Sequence, residues 1–439
     1  MIILGNVVFE PLNKSLKGSL LIPGDKSISH RAIMIGSLAK GKTEITNFLD
    51  GEDCLRTIKI FQQFGVEINQ QGTNVQIKSN GYADFKEPLE PLYFGNSGTT
   101  ARLMLGILAG LPFHTVMYGD QYLTERPMDR VVIPLKMMNA SIDGRENSSY
   151  LPLAIRGQKL SAIDYDIPVE SAQVKSALIF ASLFAEQESS LTEKALTRDH
   201  TENMINAFGG NIQTKELNIK VTPKPTFRGR KIQVPGDISS AAFFLVAGAI
   251  VRDSNIQLEN VGFNKSRNGI ITVLEQMGAN LSFKNESKLN GEPVGDLVIK
   301  KSELQAVTIS GEIIPKLIDE IPIIALLATQ ASGKTIIKDA EELRVKETDR
   351  IKAIVETLTS LGADVEETFD GLIINGPTKL KGGAIKSYGD HRMAMMGIIA
   401  SLICDNNVTI DSIESITISY PNFIEHLNSL ILHKESAIE

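Results

Sequence analysis

The feature that most constrains this chain is an internal repetition: a stretch of about 70 residues recurs about six times, a longer period than those of the common solenoids. Each repeat opens with a turn and a small-residue helix pattern, then passes through a Gly/Lys/Ser-rich turn into a β-like stretch. A second amphipathic helix, a glycine and another β-like stretch complete it. The first copy runs Pro23 to Ala39, Gly41-Lys42-Thr43-Glu44-Ile45-Thr46, Asp53 to Phe64, and Gly65-Val66-Glu67-Ile68. Others open near Gly95, Pro168, Pro235, Asp319 and Gly389. Second helices close at Phe208-Gly209-Gly210, Met277-Gly278-Ala279 and Leu361-Gly362-Ala363, each glycine reading as a helix C-cap ahead of a strand.

This alternation predicts a mixed α/β fold, with repeats packing in groups rather than stacking as a filament. Six repeats divide into two lobes of three. Pro235-Gly236-Asp237-Ile238-Ser239-Ser240 echoes Pro23-Gly24-Asp25-Lys26-Ser27-Ile28, so one lobe is expected at 22–235. The other is expected at 236–439 with 1–21, although the β-like start could by pattern alone join either. A length of 439 residues suits two domains of about 200. With no Pro/Gly/Ser-rich linker in sight, a cleft between lobes is the expected ligand site.

Composition narrows the function classes. Apolar residues at 42% and charged residues at 22% describe a globular protein in water, and a net charge of −7 argues against general nucleic-acid binding while leaving room for a local basic cleft. Cys54 and Cys404 are the only cysteines, so neither a disulfide framework nor a Cys-rich metal site is available. Histidines at 30, 114, 200, 391, 426 and 433 show no two-His helix motif, and no metal is implied. The start lacks a basic segment followed by a long apolar run, and no stretch is apolar enough to span a bilayer; a cytoplasmic protein is expected.

Chemistry gathers at the repeat starts, which are more polar than segments preceding buried helices need to be. In Pro23-Gly24-Asp25-Lys26-Ser27-Ile28-Ser29-His30-Arg31, Ser27 or Ser29 can cap a helix, and Lys26 and Arg31 stand beside its positive end, a natural seat for phosphate or carboxylate. Gly95-Asn96-Ser97-Gly98-Thr99 is a turn whose backbone N–H groups could cradle an anion. Arg126, just before Pro127, could clamp a carboxylate or simply pair with Glu125 or Asp129. The third start, Ser171-Ala172-Gln173-Val174-Lys175-Ser176, adds hydroxyls, an amide and a cation, with Arg198, Asp199 and His200 following. The fourth, with Ser239 and Ser240 but no cation, reads as structural. Asp319 and Glu320 precede the apolar run Ile323 to Ala328. In Arg344-Val345-Lys346-Glu347-Thr348-Asp349-Arg350 a helix would put Lys346 and Arg350 on one face with Glu347 alongside. Cations hold an anionic substrate and a carboxylate moves a proton, although an exposed charged helix would look the same. Asp390-His391-Arg392 mirrors Ser29-His30-Arg31. Ala331-Ser332-Gly333-Lys334-Thr335 only imitates a P-loop, because the earlier required glycine is Ala328.

Taken in order, the segments at 23–31, 95–99, 125–128 (Glu-Arg-Pro-Met), 171–176, 344–350 and 390–395 (Asp-His-Arg-Met-Ala-Met) closely resemble the 5-enolpyruvylshikimate-3-phosphate synthase family over essentially the whole chain. Ser-Ala-Gln at 171–173 resembles the bacterial class with that triplet in place of Ser-Ser-Gln, a class described as less sensitive to glyphosate. The resemblance implies a two-lobed inside-out α/β barrel with three repeats per lobe. It also implies transfer of the enolpyruvyl group of phosphoenolpyruvate to the 5-hydroxyl of shikimate 3-phosphate by addition and elimination, without metal or organic cofactor; a monomer is expected. Carried over by motif, Lys26, Ser27, Arg31, Ser171, Gln173, Arg198, Asp319 and Lys346 would hold shikimate 3-phosphate. Lys26, Gly98, Arg126, Gln173, Arg350 and Arg392 would hold phosphoenolpyruvate. Glu347 would donate the proton and Asp319 accept one, with Lys26 and His391 assisting. The chain departs from some members in having Thr417-Ile418-Ser419 before Tyr420-Pro421, with no lysine there, and Glu342 where an Asn is common. Two other readings stay open: enolpyruvyl transfer to UDP-N-acetylglucosamine, and a non-catalytic repeat protein that binds anionic metabolites.

Overall fold

Helices built from small and apolar residues, such as Ile238–Ile250 (ISSAAFFLVAGAI), have no polar stripe to turn toward water and must be enclosed on every side. All thirteen residues of that helix are buried, and so are nearly all of Lys26–Leu38, Gly98–Gly110, Ile321–Ala328 and His391–Ser401. The computed structural model describes residues 6–289 and 292–432. Its described residues form a mixed α/β fold of two compact domains: an inserted domain, Gly24–Val234, and a split domain drawn from Met1–Pro23 and Pro235–Glu439. Each has its own apolar core. Among the described residues no helix is long and apolar enough to cross a membrane.

In the inserted domain, Lys40–Thr46 pairs in parallel with Lys231–Gln233 and antiparallel with Asn74–Asn80, on which Glu67–Gln71 folds back. His114–Tyr118 stands in the same way between Leu92–Tyr93 and Leu153–Arg156, with Ser141–Gly144 at the edge. Ser189–Thr192 does so between Asp164–Asp166 and Asn218–Val221, with Ile212–Lys215 outermost. The split domain contains two sheets of this order, centred on Asn255–Gly262 and Gly333–Ile337, and a three-stranded one in which Val408–Ile410 lies between Gly383–Ile385 and Val7–Phe9. The strand Lys17–Leu21 pairs in parallel with Asn255–Gly262, so the start of the chain belongs to the split domain. Where the sequence pattern predicts one strand after the second helix, the structure has a hairpin, because turn residues such as Gln71-Gly72-Thr73 let the strand fold back.

Several local expectations hold. The helices His200–Ala207 and Arg350–Ser360 end at Gly209 and Gly362, which take φ of +98° and +93°, a conformation that glycine adopts without a side-chain clash. Cys54 lies in the helix Glu52–Gln63, and Cys404 falls three residues beyond the end of His391–Ser401. Gly333 opens a strand, as befits a turn rather than a phosphate loop. Gly106 is fixed by contact: a Cβ there would sit 2.0 Å from the Ala177 carbonyl oxygen, so Gly98–Gly110 and Ala172–Ser182 pack backbone to backbone.

Candidate active site

The helix Lys26–Leu38 is capped by Asp25, whose Oδ1 accepts from the Ile28 N–H at 2.9 Å. Ser27 and Ser29 are already inside the helix and cannot play that part; Ser29 Oγ accepts instead from the Leu49 N–H at 3.0 Å. Lys26 Nζ lies 2.5 Å from Asp53. Arg31 is 2% exposed: Nε donates to Thr201 Oγ1 at 2.6 Å, Nη2 to Ser176 Oγ at 2.9 Å and Nη1 to the Ser27 carbonyl at 3.0 Å. Behind them His30 is enclosed, with Nδ1 2.8 Å from Thr57 Oγ1. Burial, and after it the charges of Lys26 and Arg31, push its pKa well below the usual imidazole value, so the ring is neutral at pH 7. The same positive potential favours an anion.

At the second start Ser97 caps Gly98–Gly110, accepting from the Thr100 N–H at 3.2 Å. Arg126 donates through Nη2 to Asn96 Oδ1 at 2.6 Å. Arg102, which the motif reading passed over, donates to Gln173 Oε1 at 2.7 Å and to the Pro127 carbonyl at 3.0 Å, and Gln173 Nε2 reaches Thr99 Oγ1 at 3.0 Å. The signal for Arg102 was a cation inside an otherwise apolar helix run. Gly98 lies between both guanidiniums, since a Cβ there would be 3.0 Å from Arg126 Nη1 and 3.1 Å from Arg102 Nη1. Gly98, Arg126 and Gln173 are therefore brought together. At the third start Ser171 makes no side-chain capping bond, and half-buried Arg198 precedes the helix His200–Ala207. Lys175, read as one of the polar-start cations, is instead 1% exposed and enclosed by Glu193 and Glu202.

In the split domain the centre is Arg350, 1% exposed. Its Nη2 lies 2.6 Å from Glu347 Oε2, its Nε 2.8 Å from Asp390 Oδ2 and its Nη1 3.3 Å from Asp319 Oδ1. Burial works against the guanidinium charge, but Asp390, Glu347 and Asp319 outweigh it and raise the pKa. The expected helix through Lys346 and Arg350 does not exist. A short 3-10 turn covers Glu341–Val345, and the helix begins at Arg350 because Asp349 caps it, accepting from the Lys352 N–H at 3.2 Å. Glu347 meets Arg350 across this bend instead. Burial pushes the Lys346 ammonium below its usual pKa, with Asp319 and Glu342 opposing.

Arg392 donates to the Asp319 carbonyl at 3.1 Å, and its Nη1 lies 3.9 Å from Glu320 Oε1. His391, 3% exposed, opens the same helix, capped by Asp390. The fourth start is more than structural: Asp237 pairs with buried Arg267 at 3.1 Å, and Ser239 bonds both Arg267 and Glu320. Arg267 was missed, and Glu320 and Asp390, though part of the polar starts, were given no role, because a short carboxylate or lone arginine beside a helix start reads as an ordinary cap.

The two domains present different sets of polar groups. The inserted domain collects cations and hydroxyls at helix N-termini, which suits multiply anionic small molecules. The split domain presents two carboxylates, Glu347 and Asp319, on one buried arginine, a set able to donate and accept protons beside an anion. The EPSP synthase (3-phosphoshikimate 1-carboxyvinyltransferase) family profile matches residues 12–427. A 3-phosphoshikimate 1-carboxyvinyltransferase of Oceanobacillus iheyensis is 56% identical over 425 residues, 97% of this chain and 99% of that protein. One of Enterococcus faecalis is 53% identical over 419 residues, 95% and 98% of the two chains. The solved EPSP synthase of Acinetobacter baumannii superposes with a TM-score of 0.87 at 42% identity, over 97% of this chain and 98% of that one. The match runs through all six polar segments and both domains, and on that ground the chain belongs to the EPSP synthase family.

Proposed function

We propose that this protein transfers the enolpyruvyl group of phosphoenolpyruvate to the 5-hydroxyl of shikimate 3-phosphate and releases phosphate, a step toward chorismate and the aromatic amino acids. The observation that carries the reading is the carboxylate pair on Arg350, set in a chain otherwise equipped to bind anions. Lys26, Ser27, Arg31, Ser171, Gln173 and Arg198 bind shikimate 3-phosphate, with Asp319 and Lys346 at its ring hydroxyls. Lys26, Gly98, Arg126, Gln173, Arg350 and Arg392 bind phosphoenolpyruvate. Fixing two anions side by side offsets their repulsion and removes most of the entropy of encounter.

Glu347 delivers a proton to the methylene carbon as the 5-hydroxyl, losing its proton to Asp319, attacks the neighbouring carbon. Glu347, left as a carboxylate, takes back a methyl proton as the C–O bond to phosphate breaks, and the double bond is restored. Lys26 and His391 stabilise the charges that develop. The shared strand order of five sheets supports six copies of one repeat, three per domain, arranged as inside-out barrels, and the triplet Ser171-Ala172-Gln173 supports membership of the Ser-Ala-Gln class.

The test is phosphate release from phosphoenolpyruvate with shikimate 3-phosphate or UDP-N-acetylglucosamine as acceptor. Release is expected only with shikimate 3-phosphate, falling by at least about 100-fold in Glu347→Ala, the usual range for loss of a general acid. Release with the nucleotide sugar would move the protein to the sister reaction. Silence with both would favour an anion-binding role.

A further inference from the structure

The third repeat start contains a charged cluster that takes no part in the chemistry above. Lys175 Nζ lies 2.8 Å from Glu202 Oε1, 3.1 Å from Glu193 Oε2 and 3.4 Å from the Thr197 carbonyl. The side chains of all three charged residues are at most 5% exposed. Burial raises the pKa of Glu202 against the pull of Lys175, so this cluster carries a desolvation cost that an apolar core would avoid. Such a cost calls for a reason beyond cohesion.

The connectivity supplies one. Glu193 Oε1 accepts from the Thr197 N–H at 3.1 Å and from the Thr197 hydroxyl, closing 193–197 into a tight loop whose far end is pinned to Lys175. Arg198 is the next residue. On the other side, Ser176 and Thr201, the immediate neighbours of Lys175 and Glu202, bond each other at 2.7 Å and between them take two N–H groups of Arg31. One contact between the helices Ala172–Ser182 and His200–Ala207 thus holds the loop leading to Arg198 and the hydroxyls that orient Arg31.

We propose that Lys175, Glu193 and Glu202 are positioning residues for shikimate 3-phosphate: the buried triad sets Arg198 through the loop 193–197 and Arg31 through Ser176 and Thr201. This rests on the function proposed above, and its test has one arm that does not. Lys175→Met keeps the side-chain length and removes the charge; Thr197→Val removes the hydroxyl bond of the loop closure while leaving the Thr197 N–H on Glu193 and the core ion pair, and is read where the first variant does not fold. In the folded variants KM for shikimate 3-phosphate is expected to rise about tenfold or more, with kcat at saturation and KM for phosphoenolpyruvate within about threefold of native. A control such as Leu358→Ala, in the split domain, lowers stability without moving KM for shikimate 3-phosphate. Limited trypsin digestion reads the loop without turnover: cleavage after Lys194 and Arg198 quickens in the variants relative to other sites. If Lys175→Met, or Thr197→Val where the first does not fold, keeps both the native KM and the native cleavage pattern, the positioning role is wrong. Faster cleavage in a chain inactive even as the native protein would keep the loop-holding role and sink the assigned reaction.

Discussion

Glu320 is one residue whose environment makes a clear demand on pH. It is 1% exposed, bonded by Ser239, with Arg267 and Arg392 drawing its pKa down and Asp319 adding to the upward push of burial, which dominates. A carboxyl whose folded pKa stands above the ordinary 4.5 binds its proton more tightly in the native state than in the unfolded one. Its contribution to stability is complete below that ordinary value and is lost as pH rises through the raised one. Glu320→Gln, which mimics the protonated form, should therefore gain on the native protein as pH rises from about 5 to about 8, read as a widening difference in urea midpoint. A difference that stays constant would mean the folded carboxyl is ionised throughout. The residue also shows where sequence reading stops. Asp319, Glu320, Glu347, Arg350, Asp390 and Arg392 all stand in dense polar segments, but the parts of Glu320, Asp390 and Arg267 come from partners 28 to 81 positions away, such as Ser239. No local pattern encodes such a distance.

Elements were legible where a turn residue sets a boundary. Pro23-Gly24-Asp25, Gly95 to Gly98 and Gly389-Asp390 each announce a helix that the structure contains, and the following apolar residues gave its buried face. The reading failed where two helix-compatible stretches abut. Lys346 to Arg350 has helical spacing, but Asp349 side-chain capping restarts the backbone, and propensity cannot tell a cap from an interior aspartate. That cap also holds Arg344, 2.8 Å from Asp349 Oδ2. Asp349→Ala should lower unfolding free energy by about 0.5–2 kcal/mol, the usual cost of losing a cap, with Asp349→Ser recovering most of it. Equilibrium urea unfolding of the three proteins measures this; equal stability of all three would show that the helix start is held by Arg350 and its carboxylates alone.

For the whole molecule, the inserted domain is one unbroken run of chain with its own core and three complete sheets. Residues 24–234 expressed alone should unfold cooperatively in urea, with far-ultraviolet dichroism of mixed α/β character; a chain without a transition would mean its core depends on the rest of the protein. The split domain has no such independence, since its first strand comes from the opposite end of the sequence. The Leu16 N–H and the Ser254 hydroxyl that accepts it are 238 residues apart, and Lys17–Leu21 finds its sheet partner only at Asn255–Gly262. During synthesis at roughly 5–20 residues per second, Lys17–Leu21 therefore waits on the order of 10–50 s for its mate, with a complete domain folding in the interval. For that period Lys17–Leu21 is a bare strand edge on a nascent chain. The earliest residues made are among the last to be seated.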